Sequence, residues 1–221
     1  MPPVFYLIPG LGADERVFRD LQPALYGETH VLSWLPPTSP TEPLPHYAAR
    51  VAAGIPFEQA CFVVGVSFGG IVALEIARLR PRARVVLVSS IPDAASLPPL
   101  LRLVRHTGLH RLVPPQALKL FPRVGQWYFG VNSGADYQLF KRILRDTDPV
   151  YARWAIRQLL HWDSRGVGAA VRIHGTHDRV LPRGPAPVDH LIPGGTHFMV
   201  LSRAAELGQI LNELAQAPAN P

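Results

Sequence analysis

Three short segments of this 221-residue chain carry side chains that together could perform nucleophilic chemistry. The first, Gly65-Val66-Ser67-Phe68-Gly69-Gly70, sets a serine in a Gly-x-Ser-x-Gly frame, after an apolar run and before a helical pattern. A tight strand-to-helix turn there would hold Ser67 in a strained backbone conformation, and flanking residues without Cβ would let the two elements pass closely. A serine hydroxyl is a poor nucleophile until a base takes its proton, so a histidine must reach the same place. His197 fits, in Pro193-Gly194-Gly195-Thr196-His197-Phe198, a turn before the last helical segment. The imidazole in turn needs an acid to hold its tautomer. Asp178 is the first candidate, in His174-Gly175-Thr176-His177-Asp178, and Asp93, after Ser89-Ser90-Ile91-Pro92, competes with it.

These segments must be delivered to one edge of a common scaffold. Six apolar or β-branched runs read as strands: Val4 to Ile8, Val31 to Leu35, Cys61 to Val66, Val85 to Ser89, Ala170 to His174 and His190 to Ile192. Their continuous apolarity suits strands covered on both faces, and the segments between them can carry crossover helices. Helical spacing marks Glu15 to Leu25, Tyr47 to Ile55, Phe68 to Leu79 and Ala204 to Ala215. The alternation predicts an α/β fold, doubly wound around a mostly parallel six-stranded sheet. In such a fold Ser67, Asp178 and His197 all follow strands, at the carboxyl edge.

Residues 93–165 break the alternation, being too long for one crossover and too apolar for a loop. They read as an inserted helical lid on a single domain spanning 1–221. Asp148-Pro149 is a helix start, an N-cap followed by Pro at N1, and Asp136 to Arg145 reads as another short helix. Trp127, Trp154 and Trp162 lie in this insert with Tyr128, Phe129 and Phe140, to join lid to body or to line an apolar pocket.

Taken together, the serine elbow, the His-Gly-x-x-Asp-like segment and the Gly-Gly-x-His turn make the sequence resemble the α/β-hydrolase superfamily over nearly its whole length. The chain order Ser, Asp, His is that of this superfamily. The resemblance implies Ser67 as nucleophile, Asp178 as the acid and His197 as general base. It also assigns Pro9-Gly10-Leu11-Gly12 to an oxyanion loop, with backbone N–H groups of Leu11 and Phe68 facing the tetrahedral intermediate. Pro9 stands where many relatives carry histidine, and with three residues before the first strand the usual first two strands are missing. The implied activity is hydrolysis of a small to medium hydrophobic carboxylic ester, without cofactor or metal. A thioesterase, amidase, C–C hydrolase, acyltransferase or lyase could use the same residues, and a ligand- or partner-binding protein could use the same fold.

Composition narrows the partners. A hydrophobic fraction of 48% with 17% charged residues can bury one substantial core. The net charge of +6 is concentrated in residues 93–165, with 11 Lys and Arg against 5 Asp, a solvated helical face or an anion-attracting patch. No apolar stretch approaches a membrane span, no signal peptide is visible, and the single Cys61 fits a reducing compartment, so a cytoplasmic protein is expected. Gly10-x-Gly12 hints at dinucleotide binding, but Glu15 holds the third glycine position. His174-x-x-His177-Asp178 lacks a second segment with metal-ligand spacing, and no nucleic-acid-binding module is recognisable. The expected partner is a small-molecule ester, and the sequence leaves the oligomeric state open.

Overall fold

The computed structural model describes residues 2–111, 121–164 and 170–217. Six strands, β1 (Val4–Ile8), β2 (Glu28–Val31), β3 (Cys61–Val66), β4 (Ala83–Val88), β5 (Val171–Gly175) and β6 (His190–Ile192), form one sheet in the order β2-β1-β3-β4-β5-β6. Every neighbouring pair is parallel. From β1 the chain runs out to the edge at β2 and then returns across β1 to β3, so strand order reverses between β1 and β3. In open α/β sheets the crevice at such a reversal, beyond the strands' carboxyl ends, is where ligands bind.

Both faces of the sheet are covered, which explains why its central strands are apolar without alternation; all six residues of β3 are buried. Tyr6, Ile8, Val63 and Leu87 pack on one side with α1 (Leu44–Val51) and α2 (Phe68–Ala77). Phe5, Leu7, Val64 and Val86 pack on the other with the short α7 (Met199–Ser202) and the carboxyl-terminal α8 (Ala204–Gln216). Cys61 is buried at the start of β3.

Two expected elements lie elsewhere. The second strand is Glu28–Val31 and not Val31 to Leu35, because an edge strand needs only its backbone ladder and tolerates Glu28, Thr29 and His30. The apolar residues beyond it pack as a loop: the Leu35 N–H and carbonyl are both held by the Tyr47 hydroxyl at 2.9 Å. The helix expected over Glu15 to Leu25 resolves into two 3₁₀ turns, Glu15–Phe18 and Gln22–Ala24. Pro23 sits within the second turn, where a residue without an N–H is tolerated and a continuous α-helix through it is not. Pro45 likewise sits in the first turn of α1, which begins three residues before the predicted Tyr47.

Between β4 and β5 the chain forms helices α3 (Pro99–Thr107), α4 (Pro122–Phe129), α5 (Gly134–Asp146) and α6 (Pro149–His161). Residues 112–120 and Arg165 of the expected insert lie outside the described residues. The two ends of the insert meet: the Ala94 N–H donates to the Ser164 carbonyl at 3.0 Å. Asp148 caps α6 as predicted, its carboxylate accepting the Tyr151 N–H at 2.7 Å. Trp154 and Trp162 are buried and reach the body, donating to the Glu42 carbonyl and the Glu75 carboxylate, whereas Trp127 is exposed. Among the described residues, no helix is long and apolar enough to cross a membrane.

Candidate active site

Ser67 sits between β3 and α2 with φ 54° and ψ −121°, a left-handed conformation that costs a residue with a Cβ about 1–3 kcal/mol. The surroundings over-determine it. The Ser67 N–H donates to the Val88 carbonyl at 2.9 Å, and the Ser67 carbonyl accepts the Ser90 hydroxyl at 2.7 Å and the Gly70 N–H at 3.0 Å. The glycines of the motif serve close approach: a Cβ on Gly65 would overlap the Gly69 carbonyl, and one on Gly69 would overlap the Ile8 and Pro9 carbonyls. The turn therefore presses against the end of β1, at the reversal of strand order.

His197 lies in the loop between β6 and α7, with Nε2 2.9 Å from the Ser67 Oγ. Its Nδ1 is 2.8 Å and 3.0 Å from the two oxygens of Asp178, which follows β5. His197 and Asp178 are both buried. With Asp178 ionised, His197 donates from Nδ1 and leaves Nε2 to accept the Ser67 hydroxyl proton. Burial pushes the Asp178 carboxyl up, but the charge and hydrogen bond of His197, the Leu181 N–H and His174 outweigh it and hold the carboxyl below its ordinary range. The Val180 and Leu181 N–H groups, at 3.0 Å and 2.9 Å, fix its Oδ1.

His174, on β5, has Nε2 2.7 Å from the Leu181 carbonyl and 3.5 Å from Asp178 Oδ2. Burial is the largest influence on it and pulls this imidazole below its ordinary value of 6.5, against the opposing pull of Asp178 and of the Leu181 carbonyl. Below about pH 6.5 the unfolded chain therefore binds a proton that the folded chain resists, so stability is lost as pH falls through that value. Urea midpoints measured between about pH 7 and pH 5 are expected to fall, and to fall less steeply in His174→Gln, which keeps a donor but does not titrate. Equal slopes would contradict this assignment.

The loop after β1 runs beside Ser67: a Cβ on Gly10 would stand 3.4 Å from the Ser67 Cβ. Leu11, in that loop, and Phe68, the first residue of α2, border a cavity of about 700 Å³ together with Ser67 and His197. As the opening residue of a helix, Phe68 has a backbone N–H without an intrahelical acceptor. The remaining walls are mostly apolar and come largely from the insert, among them Phe129, Phe140, Ile143, Ala152 and Ile156. The insert also grips all three loops. Thr147 Oγ1 donates to the Gly12 carbonyl at 2.9 Å, Thr196 Oγ1 to the Gly130 carbonyl at 3.0 Å, and Arg179 to the Trp127 carbonyl at 2.8 Å.

Ser67, His197 and Asp178 thus come together as one hydrogen-bonded chain, with Leu11 and Phe68 beside it. Asp93 stands apart from that chain, capping the turn Ala94–Ser96 by accepting the Ser96 N–H at 2.8 Å. His177 is exposed and pairs with the Thr176 hydroxyl. Three side chains that support the site had no signal in the motifs. Ser90 holds the Ser67 carbonyl, Thr147 holds that of Gly12, and the Trp34 indole N–H donates to that of Gly10 at 3.1 Å. Only the Ser89-Ser90 pair, at the end of a predicted strand, could have drawn notice.

Comparison with known proteins agrees with this architecture. The sequence matches none of the curated proteins. Among solved structures, a hydrolase from Oleispira antarctica superposes with a TM-score of 0.75 at 15% identity, over 99% of this chain and 92% of that one. A bromoperoxidase from Bacillus anthracis gives 0.72 at 17%, over 98% and 93%. A thermophilic esterase from Thermogutta terrifontis gives 0.72 at 14%, over 96% and 89%. At these identities the likeness is one of fold. The model of the alpha/beta hydrolase family matches residues 5–210, nearly the whole sequence, and the chain belongs to that family.

Proposed function

We propose that this chain is a serine hydrolase that cleaves carboxylic esters of small to medium hydrophobic groups through an acyl-enzyme. The observation that carries the reading is the unbroken chain from Asp178 through His197 to Ser67, at 2.8 Å and 2.9 Å, opening onto a mostly apolar cavity. Ser67 Oγ attacks the ester carbonyl as its proton passes to His197 Nε2, and the carbonyl π pair becomes the oxyanion. Backbone N–H groups of Leu11 and Phe68 stabilise that charge, aided by the positive end of α2. His197 then protonates the leaving alkoxide as the C–O bond breaks. A water, deprotonated by the same imidazole, attacks the acyl-enzyme, and the proton returns to Ser67 as the acid departs. Asp178 stays ionised throughout and stabilises the imidazolium.

In this reading 1–221 is one domain, and the helical insert is its lid and sets the length of the acyl or alkyl group. A cavity of about 700 Å³ lies within the range of small-molecule sites. With p-nitrophenyl esters of increasing acyl length, kcat/KM is expected to rise and then fall once the chain outgrows the cavity, with an initial burst of nitrophenol where deacylation is slower. Absence of turnover on every ester by folded protein would overturn the proposal. Ile156, on the α6 wall, offers a check on the lid. Ile156→Trp is expected to shift the optimum to shorter esters, raising KM for the longest by about tenfold while leaving kcat for the acetate within a few-fold. An unchanged chain-length profile would contradict a lid role for α6.

A further inference from the structure

In the loop that carries Leu11, the Gly10 carbonyl is held from behind by a side chain outside the motifs. Trp34 lies three residues beyond the edge strand β2, and its Nε1–H donates to the Gly10 carbonyl at 3.1 Å. The same oxygen accepts the Ala13 N–H at 3.0 Å, which closes the turn. The Gly10 carbonyl and the Leu11 N–H belong to one planar trans peptide, so they point in opposite directions. A donor on the carbonyl therefore fixes where the N–H points, and it polarises that N–H as well, because hydrogen bonds through one amide strengthen each other. The Trp34 ring is itself braced. It packs 5.7 Å from the ring of Phe68 and 5.3 Å from that of Tyr151, on the insert. It thus touches the peptide group of one proposed oxyanion donor through a hydrogen bond and the side chain of the other through a ring contact.

We infer that Trp34 is a positioning residue for the oxyanion site: its indole N–H, seated on the Gly10 carbonyl, turns the Gly10–Leu11 peptide so that the Leu11 N–H faces the Ser67 hydroxyl. The assignment rests on the hydrolase reading for its catalytic consequence, though not for its geometry. The indole ring could serve merely to fill space between α2 and the insert, and phenylalanine would do that equally well. What phenylalanine would lack is the indole N–H, the donor that the Gly10 carbonyl accepts beside the Ala13 N–H.

Trp34→Phe keeps an aromatic ring against Phe68 and deletes the N–H. With p-nitrophenyl esters its kcat is expected to fall by about 10- to 100-fold at nearly unchanged KM, less than the loss of a whole oxyanion donor because the Leu11 N–H is misdirected and not removed. Affinity for an alkyl trifluoromethyl ketone, whose Ser67 adduct carries the oxyanion, is expected to fall by the same factor, while the matching methyl ketone binds as before. A rise in KM at constant kcat, or equal losses for the two ketones, would reduce Trp34 to packing and overturn the inference. Where the wild type proves inert toward esters and both ketones, the hydrolase reading fails, and a crystal structure of Trp34→Phe decides the geometry alone. A turned Gly10–Leu11 peptide supports the assignment, and an unmoved one overturns it.

Discussion

Ser67→Ala is expected to lower kcat for ester hydrolysis by on the order of a millionfold, to the level that binding and the oxyanion site alone provide. The fold should survive. The backbone strain at φ 54° comes from the Cβ, which alanine keeps, so the substitution neither relieves nor adds to it. The Ser67 N–H and carbonyl bonds to Val88, Ser90 and Gly70 are made by the main chain and persist. The one side-chain bond lost is that to His197, at 2.9 Å. Thermal unfolding midpoints of wild type and variant should therefore agree within about 5 °C, the shift set by a change near 1 kcal/mol. Retention of more than a hundredth of the wild-type rate would contradict Ser67 as nucleophile.

Asp178→Asn is expected to reduce kcat by about ten-thousandfold at little change in KM, for a reason of tautomers and not of space. The Asn carbonyl can take the place of Oδ1, which accepts the Val180 and Leu181 N–H groups. Its amide nitrogen then occupies the Oδ2 position, 2.8 Å from His197 Nδ1, and donates where a carboxylate accepted. His197 must move its proton to Nε2, and an Nε2–H cannot take the Ser67 proton. The variant keeps the shape of the loop and loses the base. Asp93→Asn is the matched control, because the hydrogen bond Asp93 makes, accepting the Ser96 N–H in a cap, is one that asparagine makes as well. Its kcat is expected to stay within about threefold of wild type; a loss comparable to that of Asp178→Asn would reassign the acid.

The parts of the site legible in the sequence are those that depend on local chain geometry. Gly65 to Gly69 can be read because both the turn and the close approach to β1 are encoded by missing side chains within five residues. His197 and Asp178 can be read because each follows an apolar run, and a strand's carboxyl end is a place as well as a sequence position. The choice between Asp178 and Asp93 was not local. Both follow strands, and only the sheet order, which sets β5 beyond β4, determines which loop meets His197. Ser90, Trp34 and Thr147 were hidden for a different reason. Each acts on a backbone carbonyl of a segment 23, 24 or 135 residues away, and no pattern of side-chain types records such a partner.

The scaffold divides in the same way. Strands buried on both faces announce themselves by apolar runs, so β1 and β3 match their predicted limits and β4 and β5 differ by a residue or two. The edge strand β2 escaped, since its residues Glu28, Thr29 and His30 are polar although they join the ladder, while the apolar Leu32, Trp34 and Leu35 pack as a loop against the core. That displacement matters for the site. A strand running through Val31 to Leu35 would have committed Trp34 to the ladder, whereas the loop frees its indole to reach Gly10.

The central claim is that Ser67 is a nucleophile activated by His197, and it is tested most directly by covalent labelling. Folded wild type, Ser67→Ala and His197→Ala are treated with a fluorophosphonate probe, and the labelled peptide is identified by mass spectrometry. One phosphonyl group on the Ser67 peptide of the wild type, none on Ser67→Ala, and labelling slowed by at least about a thousandfold in His197→Ala is the predicted result. An unlabelled wild type, or a label on any other residue, would contradict it.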